Sequence, residues 1–251
     1  VIDYIYDGTF EGFLTCIYHH YATEKANGIY CRETYQPSFL AASKEVESSE
    51  ASAERVYRGI VQKISHQDLQ RVYKVFLSSA PQKEILLLRY LCLGFSMGRD
   101  IGRLHGNPIV FDVQKIDRQV GYEVHRFQGL IRFSVLANGV LYSPIEPDHD
   151  ILELLAPHFT QRFFYDPFII HDKKRNKGMI AVEGQWYITD FAPELMPALH
   201  EDEEGYRKLW RDYFDAIAIK ERTNKKCQKN FMPVRYWKNL TEMNPKLDSE
   251  I

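Results

Sequence analysis

The candidates for acid-base or binding chemistry are His125, Arg126, Asp148 and His158. Histidine titrates near neutrality, arginine holds anions, and a carboxylate serves as a base or an ion ligand. His125 and Arg126 stand in "GYEVHRFQGLIRF", residues 121–133, with Arg132 just beyond them. The segment "IEPDHD" supplies Glu146, Asp148 and Asp150. Such a run suits a divalent cation or a general base. It also suits a helix start, with Asp148 as N-cap and Asp150 complementing the first-turn dipole, and this second account is preferred. His125, His149, His158 and His171 are spread around this region, and no two have i, i+4 spacing. They read as structural histidines, and no metal site is expected.

Two segments carry local positive charge. Lys173, Lys174, Arg175 and Lys177 stand on the tip of an expected hairpin, where they suit either solvent or a phosphate backbone. Between Lys220 and Lys238 lie seven bases and one acid, with Phe231, Tyr236 and Trp237 interleaved. Lys225, Lys226, Lys229, Arg235 and Lys238 would follow a backbone while Tyr236 and Trp237 stack on bases. The same rings would equally dock on the chain's own core, since exposed large aromatics need a partner.

Hydrophobic spacing supplies the frame for these groups. Phe10, Phe13, Leu14, Ile17 and Tyr21 stripe one helix, and Ala53, Val56, Ile60 and Ile64 another. Ser65 with Asp68 resembles a capping box that opens a third. A buried helix is expected from Pro81 to about residue 104, carrying Gly94, Gly98 and Gly102 at four-residue spacing. A helix over 112–129 follows, and Gly94 is expected to face Gly121 in a close seam between the two helices. Residues 29–50 read as irregular.

The second part reads as hairpins. Residues 131–136 and 140–145 flank Asn138-Gly139, the chain's strongest hairpin signal. Asp148 opens a helix that Pro157 bends or ends. Residues 168–171 and 179–182 pair around the basic turn, and "QWYIT" adds a further strand. A last helix carries Tyr206, Leu209, Trp210, Tyr213 and Ile217. The expected fold class is α+β: a helical N-terminal half packed with a four- to five-stranded antiparallel sheet of hairpins, a C-terminal helix and a basic-aromatic tail. The organisation is a helical part over 1–105, a helix-and-hairpin part over 106–219 continuous with it, and the tail over 220–251.

Whole-chain properties exclude several classes. The formal charge is −2 over 251 residues, so no global field draws the protein to nucleic acid or membrane. Acidic blocks, Glu45 to Glu54 and Glu201 to Glu204, offset the basic ones. The four cysteines form no C-x-x-C pair, and no secretory or membrane-spanning segment is read, which together point to a reduced, cytoplasmic protein. The phosphate-binding loop, the dinucleotide fingerprint, the nucleophile elbow, the zinc deaminase signature and the iron-sulfur triplet of radical-SAM enzymes are all missing. No cofactor is therefore expected.

At "HRFQGLIRF", "IEPDHDILELLAPHF", "IIHDKKR" and "MPVRYWKNL" the chain resembles an uncharacterised bacterial family of DNA-metabolism or repair proteins. The likeness starts at "YIYDGTFEGFLTCIY" and covers nearly the whole chain. It implies a radical-SAM partner protein acting in DNA modification or repair. Some relatives are fused to a uracil-DNA-glycosylase-like domain, whose motifs this chain lacks. The leading expectation is a DNA-associated accessory protein. The alternatives are a DNA- or nucleotide-processing enzyme, built on His125, Arg126, Arg132 and the carboxylates near Asp148, and a protein-protein adaptor without DNA affinity.

Overall fold

The computed structural model describes residues 2–37, 42–193 and 196–244. The chain is α+β and divides into two compact units, Val1–Gly121 and Tyr122–Ile251. The last residues of the basic-aromatic segment, 245–251, and residues 38–41 of the stretch expected to be irregular lie outside the described residues.

The first unit is built on a parallel sheet. Strand β1 (Ile2–Tyr6) leads through helix α1 (Phe10–Ala22) to β2 (Ala26–Cys31), and β3 (Ala42–Glu45) pairs on the other side of β1. A parallel neighbour requires a crossover, and α1 is that crossover. Central β1 is buried from Asp3 to Tyr6. Helices α2 (Glu50–Lys63), α3 (His66–Phe76) and α4 (Lys83–Met97) complete the layer. Tyr6, Phe13, Ile17, Ile60, Val72, Leu87 and Leu91 share its core. Ser65 caps α3 by accepting from the Asp68 amide at 3.0 Å, as its sequence pattern suggested.

Two strands occupy the stretch expected to be irregular. All four side chains of β3 are exposed, so it has no apolar alternation to reveal it. Its order comes from backbone pairing with β1.

The expected glycine seam is absent. Helix α4 ends at Met97, and a 3-10 turn runs over Gly98–Arg103. Gly98 has φ +67°, which ends the helix in the region that favours glycine. A Cβ on Gly94 would lie 2.5 Å from Cδ1 of Ile64. Gly102 and Gly121 have no such neighbour within 4 Å. The close approach at Gly94 therefore belongs to the residue that ends α2, and Gly121 has no part in it.

Helix α5 (Pro108–Leu130) spans the boundary between the units. In the second unit, β4 (Ser134–Val135) and β5 (Leu141–Ile145) are followed by α6 (Leu152–Arg162), then by β6 (Phe168–Asp172), β7 (Lys177–Val182) and β8 (Gln185–Asp190). The five strands lie in the order of the sequence. Three pairings are antiparallel, as hairpins require, but β5 and β6 run parallel, with α6 as their crossover. Gly139 turns the first hairpin at φ +83°, yet β4 spans only two residues. Pro157 does not end α6; it lies inside the helix on an exposed position. Helices α7 (Glu203–Ile217) and α8 (Lys225–Phe231) follow, then a 3-10 turn over Val234–Asn239. Phe127, Ile145, Leu155, Phe159, Phe168, Ile170, Met179 and Tyr236 are among the buried residues of this unit.

Candidate functional site

A buried polar constellation of the second unit centres on Glu123, a residue with 3% exposure. On α5 it stands between the buried Val120 and Phe127, so helical geometry aims its carboxylate inward. The amides of Asp148 and His149 both donate to it at 2.8 Å, and the Tyr236 hydroxyl donates at 2.5 Å. A buried carboxylate needs such donors to offset the water it loses. Burial, and then the neighbouring Glu123 carboxylate, hold the Tyr236 phenol far above its ordinary range. Tyr236 therefore remains a neutral donor.

Charged groups surround this hub in pairs. Arg235 meets Asp148 at 2.9 Å and lies over the Tyr236 ring. Lys238 pairs with Glu146, and Lys177 meets Asp150 at 3.1 Å. Arg175 meets Asp172 at 2.7 Å and donates to the Asp148 carbonyl at 2.8 Å. Burial raises the Asp172 pKa, although Arg175 opposes the rise. Burial likewise lowers the His149 pKa against the opposing pull of Glu123 and Asp148. The carboxylates of "IEPDHD" thus hold the β6–β7 turn and the C-terminal 3-10 turn. Asp148 is not the expected N-cap: α6 begins after Ile151 with no side-chain cap. Among the described residues, no group of three or more His, Cys, Asp or Glu is arranged to hold a metal ion.

The residues expected to do acid-base chemistry are not bonded to one another among the described residues. His125 is exposed, and Arg126 donates to the Asn230 carbonyl at 3.1 Å. His158 packs edge-on against Phe159. His171 is buried, with Nδ1 2.8 Å from the Tyr142 hydroxyl. None of His125, Arg126, Asp148 and His158 shares a hydrogen bond or ion pair with another of the four.

The basic residues expected to meet nucleic acid fall into two groups. Arg175, Lys177, Arg235 and Lys238 are paired as described. Lys173 and Lys174 on the β6–β7 turn, and Lys225, Lys226 and Lys229 on α8, are exposed and make no ion pair among the described residues. Of the two rings, Tyr236 is buried, and Trp237 is half-buried with its indole N–H on the Met232 carbonyl at 2.9 Å. Tyr236 thus docks on the unit's own core, which was the alternative to base stacking.

A cleft of about 430 Å³ opens elsewhere in this unit. Arg162 and Phe163 at the end of α6 line it, with Tyr206 and Trp210 of α7 and the segment that holds Arg132 and Phe133. Arg132 meets Glu242 at 2.7 Å, and its guanidinium lies 5.1 Å from the Trp210 ring centre. Glu123 and this cleft both escape sequence reading. Glu123 left one signal, an acid within an apolar stripe, whereas the cleft joins residues from four separate segments.

No curated protein and no solved structure matches the chain. A family model described as a domain of unknown function, DUF4130, matches residues 81–242 and so takes in the Glu123 hub, the basic turn, α8 and the cleft. The chain belongs to the DUF4130 family.

Proposed function

We propose that the protein is a DNA-associated accessory protein of repair or modification, which grips the phosphate backbone with lysines and works beside a radical-SAM repair protein. The observation that carries the DNA half is the sorting of the bases. Four are held by carboxylates, while Lys173, Lys174, Lys225, Lys226 and Lys229 are exposed without an acidic partner among the described residues. Uncompensated lysines on a turn and a short helix are the groups that release counterions from a phosphate backbone.

The partner half draws on the family resemblance for its identity and on α7 for a surface. Glu203 and Arg207 are the buried residues of that helix, whereas Tyr206, Leu209, Tyr213 and Ile217 are each more than half exposed. A stripe at i, i+3, i+7 and i+11 is the face a helix normally buries. Exposed to this extent, it favours protein docking. The adaptor reading without DNA affinity uses this same surface.

The test is a mobility-shift assay with single- and double-stranded DNA at two salt concentrations. The proposal expects binding that weakens steeply with salt. It also expects a weaker salt dependence after Lys225→Ala, Lys226→Ala and Lys229→Ala combined. Co-purification with the radical-SAM protein but no shift on either DNA would establish the adaptor instead.

A further inference from the structure

The cleft beside α7 combines features the DNA-backbone reading does not use. Its lining includes three guanidinium groups, Arg132, Arg162 and Arg207, and four rings, Phe133, Phe163, Tyr206 and Trp210. Two of the three charges are already balanced. Arg132 is held by Glu242 at 2.7 Å, and Arg207 by Glu203 at 3.1 Å. Arg207 also donates to the Ser134 hydroxyl at 2.8 Å, and Glu203 accepts from the Val135 amide at 2.9 Å. These contacts fix one wall before any ligand arrives. Arg162 differs: it is exposed, makes no ion pair among the described residues, and lies 5.6 Å from the Phe163 ring centre.

Phe163 and Trp210 are held just as firmly. Phe163 packs on Phe133 and stacks on Phe159, so its orientation is set from behind. Trp210 donates its indole N–H to Glu242 at 2.9 Å while Arg132 lies over its ring. A positioned indole, a positioned phenyl ring and one free guanidinium leave a narrow choice of ligand. A cation is disfavoured by the arginines, and a purely aliphatic molecule would leave Arg162 unused. A planar aromatic group that carries an anion satisfies both requirements. The volume of about 430 Å³ suits a small ligand.

We infer that this cleft takes one unstacked nucleotide of single-stranded DNA, its base against Trp210 and Phe163 and its phosphate on Arg162. The inference rests on the nucleic-acid reading above and narrows it. The lysines hold the strand without regard to sequence, and the cleft holds a single base.

The experiment titrates dTMP, thymidine, inorganic phosphate and phenyl phosphate into the full chain, following tryptophan fluorescence and heat. dTMP is expected to bind more tightly than thymidine or phosphate alone. Arg162→Ala, an exposed change that spares the fold, should weaken dTMP about tenfold, the loss of one charge-assisted hydrogen bond. Trp210→Phe should remove most of the fluorescence response while dTMP still binds by heat. The five lysine-to-alanine changes at 173, 174, 225, 226 and 229 should leave dTMP affinity unchanged. No dTMP binding at millimolar concentration, with DNA binding intact, would overturn the cleft and spare the backbone reading. dTMP binding by a chain with no affinity for DNA would support the cleft as a nucleotide site and overturn the backbone reading. Binding of phenyl phosphate without dTMP would assign the cleft to a phosphorylated tyrosine and overturn the inference.

Discussion

The hydroxyl of Tyr236 donates to the carboxylate of Glu123 at 2.5 Å, across 113 positions of the chain, and both residues are almost fully buried. This bond ties the C-terminal 3-10 turn to α5, and through the Asp148 and His149 amides it ties both to the loop after β5. The Val234–Asn239 part of the basic-aromatic tail therefore belongs to the fold of the second unit. Deleting it would remove a core residue together with the charges.

Changes at this bond should be read in stability. Tyr236→Phe leaves Glu123 with two of its three donors and should cost about 1–3 kcal/mol. Glu123→Gln turns an amide group toward donors that expect an acceptor and should cost about 2–4 kcal/mol. Denaturant unfolding of the two variants measures both. Equal midpoints for Glu123→Gln and the wild type would show that the buried carboxylate is not the anchor.

The glycines make a paired prediction. Gly94→Ala places a methyl 2.5 Å from Cδ1 of Ile64 and should destabilise by about 1–3 kcal/mol. Gly121→Ala enters open space on α5 and should stabilise by up to about 1 kcal/mol. Thermal melts of the two variants should therefore shift in opposite directions.

What was legible in the sequence follows from which signals were local. The stripes of α1, α2 and α3, the Ser65 cap and the Asn138-Gly139 turn each depend on residues a few positions apart. The parallel neighbours of β1 do not: β3 exposes every side chain, and only its partner strand defines it. The same limit applied to function. The basic turn and the basic C-terminal run were visible as charge, but which bases were free depended on acids far along the chain, as with Glu146 beneath Lys238 and Asp148 beneath Arg235. Glycine periodicity suggested a helix seam, whereas Gly98 in fact ends its helix.

Acid should loosen the wall of the cleft. Burial alone would raise the Glu242 pKa, but hydrogen bonds from Arg132 and Trp210 overcome it and hold the carboxyl below its ordinary 4.5. The folded state thus binds this proton less readily than the unfolded chain. The stability it contributes is present above about pH 4.5 and is lost as pH falls through the lower folded value. Glu242→Gln should lower stability at pH 7 and make it less dependent on pH below 4.5. Urea midpoints at pH 7 and pH 3.5 for the two proteins check the sign.

Phosphate contacts by the exposed lysines are read from the salt dependence of DNA binding. Log affinity plotted against log salt gives a slope of roughly 0.7 to 0.9 per phosphate neutralised. The wild-type chain is compared with one carrying alanine at Lys173, Lys174, Lys225, Lys226 and Lys229, all exposed positions whose loss leaves the ion pairs of the fold in place. Backbone binding by these lysines predicts a steep slope for the wild type and a clearly shallower one, with weaker binding, for the variant. Equal slopes and equal affinities would contradict it.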